Sequence, residues 1–171
     1  MHYDDRKTKI KRYAIYVAII IIAEFLQNSN LAFPDIFGAR TFLLIPLGVA
    51  VSMHEREVPS GIFGAFIGLV WDISCGSDGF NTLVVTLLCA TCSLCISHLM
   101  RKNIITALVL SGSAVCVYDL LYVIVNLVGE GAGNPIGRMF TFYLPSFIYT
   151  MIFVPVFYYL IDWVFDSYKT E

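Results

Sequence analysis

Hydrophobic residues dominate six stretches of the chain, and short polar breaks separate them. The stretches cover residues 13–33, 41–53, 58–74, 82–100, 104–128 and 139–165. A helix needs about 17 to 25 mostly apolar residues to cross the hydrocarbon layer of a bilayer. Residues 41–53 fall short of that length, residues 58–74 just reach it, and the other four stretches meet it. The pattern predicts an all-α polytopic membrane protein built as one bundle of six transmembrane helices.

The basic residues indicate an orientation. With six crossings and a cytoplasmic N-terminus, the outer side holds only two of the 11 Lys and Arg residues, Arg40 and Arg138. The inner side then holds Arg6, Lys7, Lys9, Lys11, Arg12, Arg56, Arg101, Lys102 and Lys169. This is the asymmetry of the positive-inside rule. Without a crossing by residues 41–53, Arg101 and Lys102 would lie outside. We therefore predict six crossings and two cytoplasmic termini, although the short second stretch leaves open whether it spans fully.

The polar segments are too short for a separate soluble domain. Residues 1–12 form a basic cytoplasmic segment, residues 13–165 the transmembrane domain, and residues 166–171 a cytoplasmic tail. The net charge of −2 gives no support for nucleic-acid binding. A basic cluster beside a membrane helix indicates orientation and contact with lipid headgroups instead.

A stripe of small residues marks the third stretch. Gly64, Gly68 and Asp72 repeat every four residues, after Gly61, so they lie on one side of a helix. Glycines at this spacing let a second helix approach closely. A packing or partner-binding face is the simplest interpretation of the glycines. Close packing does not explain Asp72, because placing a carboxylate within the hydrocarbon layer costs about 2.5 to 3.5 kcal/mol.

Three acidic residues lie at depth in the predicted helices. Counted at about 1.5 Å per residue from the inner ends, Glu24 lies about 16 Å deep, Asp72 about 21 Å and Asp119 about 22 Å. This placement predicts a polar pocket that opens outward. The alternative is a structural network of hydrogen bonds between helices, each worth about 0.6 kcal/mol. The sequence leaves both open. His54 lies at an inner membrane edge, where interfacial solvation is a sufficient explanation for it.

No catalytic or metal-binding constellation stands out. Cys89, Cys92 and Cys95 occur in mid-helix, and steps of three residues turn each thiol about 60° from the last. A fourth ligand is missing, so these cysteines are predicted to be small apolar fillers. Asp72 and Asp119 lack the order and the Gly-x-Gly-Asp motif of intramembrane aspartyl proteases. We predict no catalytic residue, no metal and no cofactor.

The third stretch and the residues after it resemble the signature of the MreD family of bacterial rod shape-determining membrane proteins. The resemblance is carried by Gly61, Gly64, Gly68-Leu-Val-Trp-Asp72 and Gly79-Phe-Asn81. It implies a non-enzymatic subunit of the cell-wall elongation complex in the cytoplasmic membrane. Such a subunit associates with the bitopic protein MreC and, through it, with MreB filaments, RodA and a penicillin-binding transpeptidase.

The resemblance also implies which residues matter. The family pattern assigns a role to Gly64, Gly68, Asp72, Gly79 and Asn81. Glu24 and Asp119 are candidates only because of their predicted depth in the membrane. MreD proteins are similar in fold to the substrate-binding S components of energy-coupling-factor transporters. The alternative function is therefore an S component with a vitamin or a metal in the outer pocket. The thin loop from Cys75 to Asn81 argues against it, since it has few residues to cover a ligand.

Overall fold

The computed structural model describes residues 2–29, 42–130 and 144–168. These residues form six helices and no strand, which confirms the all-helical prediction. The helices are α1 (His2–Asn28), α2 (Leu44–His54), α3 (Glu57–Cys75), α4 (Phe80–His98), α5 (Ile104–Glu130) and α6 (Leu144–Ser167). Helices α3 to α6 contain segments that are long and apolar enough to cross a membrane. Crossings by α1 and α2 stay predictions. Residues 30–41 and 131–143, with Arg40 and Arg138, lie outside the described residues.

Helix α1 begins well before the hydrophobic stretch that predicted it. It runs from His2 through the basic segment to Asn28, although the apolar residues start at Tyr13. Neither Gly nor Pro, the two residues that most disfavour a helix interior, occurs in this range. The hydrophobic pattern therefore marks where an apolar environment begins, which is a different position from the start of the helix.

Helix α2 is the centre of the bundle. All of its residues are buried, and its 11 residues make it about 16 Å long, roughly half the thickness of a bilayer core of about 30 Å. The other five helices pack around it in the order α1, α3, α4, α5, α6 and back to α1. A helix surrounded on every side needs no polar face. This position explains why the second stretch is both short and uniformly apolar.

Helices α3 and α4 pack closely along their length, and glycines make the contact possible. A Cβ atom built on Gly64 would lie 2.8 Å from the Cβ of Cys89, and one built on Gly68 would lie 2.7 Å from the carbonyl oxygen of Asn81. Both distances are shorter than any side chain tolerates. A Cβ atom on Gly61 would meet nothing within 4 Å, so Gly61 takes no part in this contact.

A polar connection crosses the middle of the bundle. The hydroxyl oxygen of Ser60 lies 2.7 Å from the Ser52 hydroxyl and 2.8 Å from the carbonyl oxygen of Cys89, and Ser52 donates to the Gly48 carbonyl. These contacts join α2, α3 and α4. Cys89 and Cys92 are buried beside them as free thiols, and the Cys89 sulfur packs where Gly48 and Gly64 leave room. In this layer the cysteines fill space, as the sequence predicted.

Candidate functional site

The carboxylate of Asp72 caps the start of helix α4. It lies near the end of α3, is 6 % exposed, and accepts hydrogen bonds from the backbone N–H groups of Asn81 (3.1 Å) and Thr82 (2.7 Å). The hydroxyls of Ser77 and Thr82 also donate to it. The first N–H groups of a helix lack partners within the helix, and the positive end of the helix dipole favours an anion there. The charge of Asp72 is thus compensated by the hairpin to which it belongs.

Two glycines with positive φ shape the turn between α3 and α4. Gly76 (φ 65°) ends α3, where its N–H donates to the carbonyl oxygen of Asp72, and Gly79 (φ 87°) immediately precedes α4. Residues with a Cβ atom rarely adopt this conformation. A Cβ atom on Gly79 would meet nothing within 4 Å. Gly79 is therefore needed for the backbone conformation, and it makes no close helix contact.

Asn81 extends the hairpin contacts to helix α5. Its side-chain oxygen accepts a hydrogen bond of 2.6 Å from the Tyr118 hydroxyl, while its amide nitrogen donates to Ser77 Oγ. The ring of Tyr118 stacks on Trp71 of α3, with 5.1 Å between the ring centroids, and Phe42 contacts both rings. Asp72, Asn81 and Tyr118 thus belong to one network that holds α3, α4 and α5 together.

The other two acids of the predicted pocket are placed differently. Glu24 is buried, accepts a hydrogen bond from Asn28, and leaves its Oε2 atom without a hydrogen-bond partner. Asp119 is half-buried, and its Oδ1 atom also lacks a partner. Within the described part of the chain, no hydrogen bond joins Asp72 to Glu24 or Asp119. The hydrogen bonds of Asp72 are made within the α3–α4 hairpin, and a pocket at Glu24 and Asp119 stays a prediction.

A cluster of buried charges lies at the opposite end of α3, and sequence reasoning missed it. Arg12 Nη2 of α1 lies 2.8 Å from Glu55 Oε1 in the turn between α2 and α3, and the two side chains are only 7 % and 5 % exposed. That carboxylate oxygen has no formal hydrogen bond, so the contact is an ion pair with imperfect hydrogen-bond geometry. Tyr13 donates to Glu55 Oε2 and Ser93 to its carbonyl oxygen. Burial raises the pKa of Glu55, and Arg12 lowers it in part.

His54 belongs to the same end of the bundle, and interfacial solvation does not explain it. The residue is 6 % exposed, and both ring nitrogens have protein partners. Nδ1 lies 2.9 Å from the Ala50 carbonyl oxygen, and Nε2 lies 2.9 Å from Asp162 Oδ1 of α6. His54 and Asp162 are 108 residues apart, so no local sequence pattern could have paired them. The sequence signal that could have pointed to this cluster was the presence of ionisable residues at the ends of several predicted helices.

The bundle, with a wholly buried central helix and four outer helices apolar enough to cross a bilayer, defines an integral membrane protein. Residues 2–29, 42–130 and 144–168 contain no group of three or more His, Cys, Asp or Glu residues that could hold a metal ion. The chain belongs to the MreD family, because the family model described as rod shape-determining protein MreD matches residues 7–166. This match confirms the resemblance seen in the sequence. No curated protein and no solved structure matches the chain.

Proposed function

We propose that this chain is a non-enzymatic subunit of the bacterial cell-wall elongation complex, with both termini on the cytoplasmic side of the cytoplasmic membrane. In this role it binds an MreC-like bitopic membrane protein and thereby connects to MreB, RodA and a penicillin-binding transpeptidase. The observation that carries the proposal is the family match over residues 7–166, which reaches from α1 to α6. The function is the maintenance of rod shape.

The chemistry of the α3–α4 hairpin supports a scaffold. Gly64 and Gly68 allow the two helices to touch, Asp72 caps α4, and Asn81 connects the hairpin to α5. Each of these groups is engaged inside the chain. Residues that are this fully engaged hold a shape in place and present no reactive group to a substrate. A fixed surface for partner proteins is the use that such a hairpin serves best.

The surface around Gly61, near the start of α3, is our candidate for the partner-binding surface. Helix α4 already covers Gly64 and Gly68, whereas Gly61 is open near the start of α3, next in the chain to the exposed Ile62 and one turn from the exposed Val58. A small residue among apolar ones lets a transmembrane helix of a partner approach closely. Of the glycines within α3 that were predicted for partner binding, Gly61 is therefore the one that a helix of a second protein could still contact.

The test is a pull-down of the tagged protein from its native membrane in mild detergent, with mass spectrometry of the co-purifying proteins. Wild type should recover an MreC-like bitopic protein together with wall-synthesis enzymes. Gly61→Leu should lose that partner while its unfolding temperature stays unchanged. Ala14→Leu, which enlarges an exposed small residue on α1, is the matched control and should retain it.

One outcome would contradict the elongation role, and another would contradict only the α3 surface. Recovery of paired ATPases with a transmembrane coupling subunit would identify a transporter S component instead. Equal recovery of the MreC-like protein by Gly61→Leu and wild type would leave the elongation role standing and remove the α3 surface.

A further inference from the structure

The buried imidazole of His54 has an oxygen atom against each ring nitrogen. Nδ1 faces the Ala50 carbonyl oxygen and Nε2 faces a carboxylate oxygen of Asp162, both at 2.9 Å. A carbonyl oxygen and an ionised carboxylate only accept hydrogen bonds. A neutral imidazole has a single N–H, so its second nitrogen would place a lone pair against an oxygen. Only the doubly protonated ring donates to both.

We propose that His54 is an imidazolium cation in the folded protein and that its second proton ties the end of α2 to α6 through Asp162. The tie lies at one end of the central helix, beside the Arg12–Glu55 ion pair. Asp162 is the only one of its two partners that carries a charge. The tie therefore depends on a proton, because removal of the Nε2 hydrogen removes the hydrogen bond to Asp162.

The backbone around His54 favours a cation. His54 is the last residue of α2, and the C-terminal end of a helix carries a partial negative charge that stabilises a positive side chain. Burial raises the pKa of the neighbouring Glu55 carboxylate, and electrostatic interactions with Arg12 and, to a smaller extent, with His54 offset part of that rise. On α6 the rings of Tyr158 and Phe165 pack at 5.9 Å and 5.3 Å from the imidazole and bring no positive charge.

The other cations near this end have acidic or aromatic partners. Arg12 of α1 forms the ion pair with Glu55 and lies over the Phe165 ring, and Lys102, in the turn before α5, lies over the same ring. At the exposed ends of α3 and α4, Glu57 and His98 face each other at 3.9 Å. The Arg12–Glu55 pair is close to neutral as a unit.

The contact between α2 and α6 would then respond to protonation. Histidine is the side chain whose charge ordinarily changes near neutral pH, at about 6.5 in the absence of perturbation. In the protonated state α2 and α6 share a charged hydrogen bond at this end. In the neutral state one nitrogen faces an oxygen without a hydrogen between them, and the two helices are expected to separate locally.

The experiment measures the protonation state of the His54 ring from its nitrogen signals. The full chain, with 15N-labelled histidine, is reconstituted in lipid nanodiscs, and the ring nitrogen signals are followed by NMR from pH 5 to pH 8. The chain has three histidines, so His54→Gln identifies the His54 signals. Asp162→Asn is the test variant. Its amide can donate to Nε2, and a neutral ring with its hydrogen on Nδ1 then satisfies every contact.

At a given pH, the ratio of doubly to singly protonated His54 should be about tenfold higher in wild type than in Asp162→Asn, as expected when one charged hydrogen bond is lost. The exposed His98 serves as the internal reference and should show the same ratio in both proteins. Equal ratios for His54 in wild type and variant would overturn the proposal, as would a wild-type ring that is neutral at pH 5. The measurement needs no partner protein, so its outcome is independent of the proposed function.

Discussion

The contact between α3 and α4 can be tested by adding a single methyl group at Gly68. A Cβ atom there would lie 2.7 Å from the Asn81 carbonyl oxygen and 2.8 Å from the Thr82 nitrogen. Both atoms belong to the backbone, so no side chain can rotate away to make room. Gly68→Ala therefore forces the first turn of α4 away from α3, at the place where Asp72 caps it.

The magnitude follows from the distances. Ordinary contact needs about 3.4 Å or more, so these two distances require the helices to separate by about 0.6 to 0.7 Å, and the Thr82 Cα atom, which lies closer still, requires more. Overpacking of this kind costs about 1 to 3 kcal/mol. The same movement lengthens the 2.7 Å hydrogen bond from Thr82 to Asp72, and a weakened cap costs about 1 kcal/mol more. For a chain of 171 residues, the first term alone lowers the unfolding temperature by about 2 to 12 °C.

The assay is thermal unfolding of purified protein in one mild detergent, with Gly112→Ala as the matched control. A Cβ atom on Gly112 would meet side-chain atoms of Met151 and Phe147 at 3.5 to 3.8 Å, which is ordinary contact. That variant should unfold at the wild-type temperature or slightly above it, because alanine favours a helix over glycine. Equal unfolding temperatures for Gly68→Ala and Gly112→Ala would refute the close approach of α3 and α4.

Three further predictions concern polar contacts, and each can be measured by the same unfolding assay. Asp72→Ala should insert into the membrane normally, since it removes a carboxylate, but should unfold with about 1 kcal/mol less free energy because α4 loses its cap; unchanged stability would contradict the cap. Tyr118→Phe should cost about 1 to 3 kcal/mol, because it leaves the Asn81 oxygen without its donor; a neutral effect would remove that link to α5. Burial raises the pKa of Glu55, so its contribution to folding is complete below the ordinary value of about 4.3 and is lost as the pH rises through the raised value. Glu55→Gln should accordingly show a smaller fall in stability from pH 4 to pH 7, and an unchanged slope would assign that fall to other groups.

The sequence predicted the helices well and their ends less well. Long apolar stretches located α3 to α6, because a bilayer demands a continuous apolar length. The part of α1 before Tyr13 was not predicted as helix, since a charged helical segment carries no hydrophobic signal. The central position of α2 was also missed. Its short length was noted, but hydropathy alone does not distinguish a helix surrounded by protein from one in contact with lipid.

For the candidate site, the sequence identified the residues but not all of their partners. The spacing of Gly64 and Gly68 predicted a close helix contact, and the cost of a carboxylate in lipid predicted that Asp72 has a partner. Depth placed Asp72 and Asp119 at one level, but it gives no rotation about the helix axis. Besides two hydroxyls, the partners of Asp72 are backbone N–H groups at the start of the next helix, and backbone groups leave no mark in a sequence. The pair of His54 with Asp162 was missed for a different reason: its two side chains are 108 residues apart, and no local pattern connects them.

The short central helix has a consequence for the biogenesis of the protein. A segment of 11 residues is too short to cross the bilayer alone, and lipid would leave the polar backbone groups at its ends without partners. Helix α2 is therefore not expected to remain in the membrane by itself after it leaves the translocation machinery. It gains a stable environment only when the helices made after it close around it. Release of α6 then closes the ring of helices around α2, and a chain truncated before α6 should be recognised and degraded as unfinished.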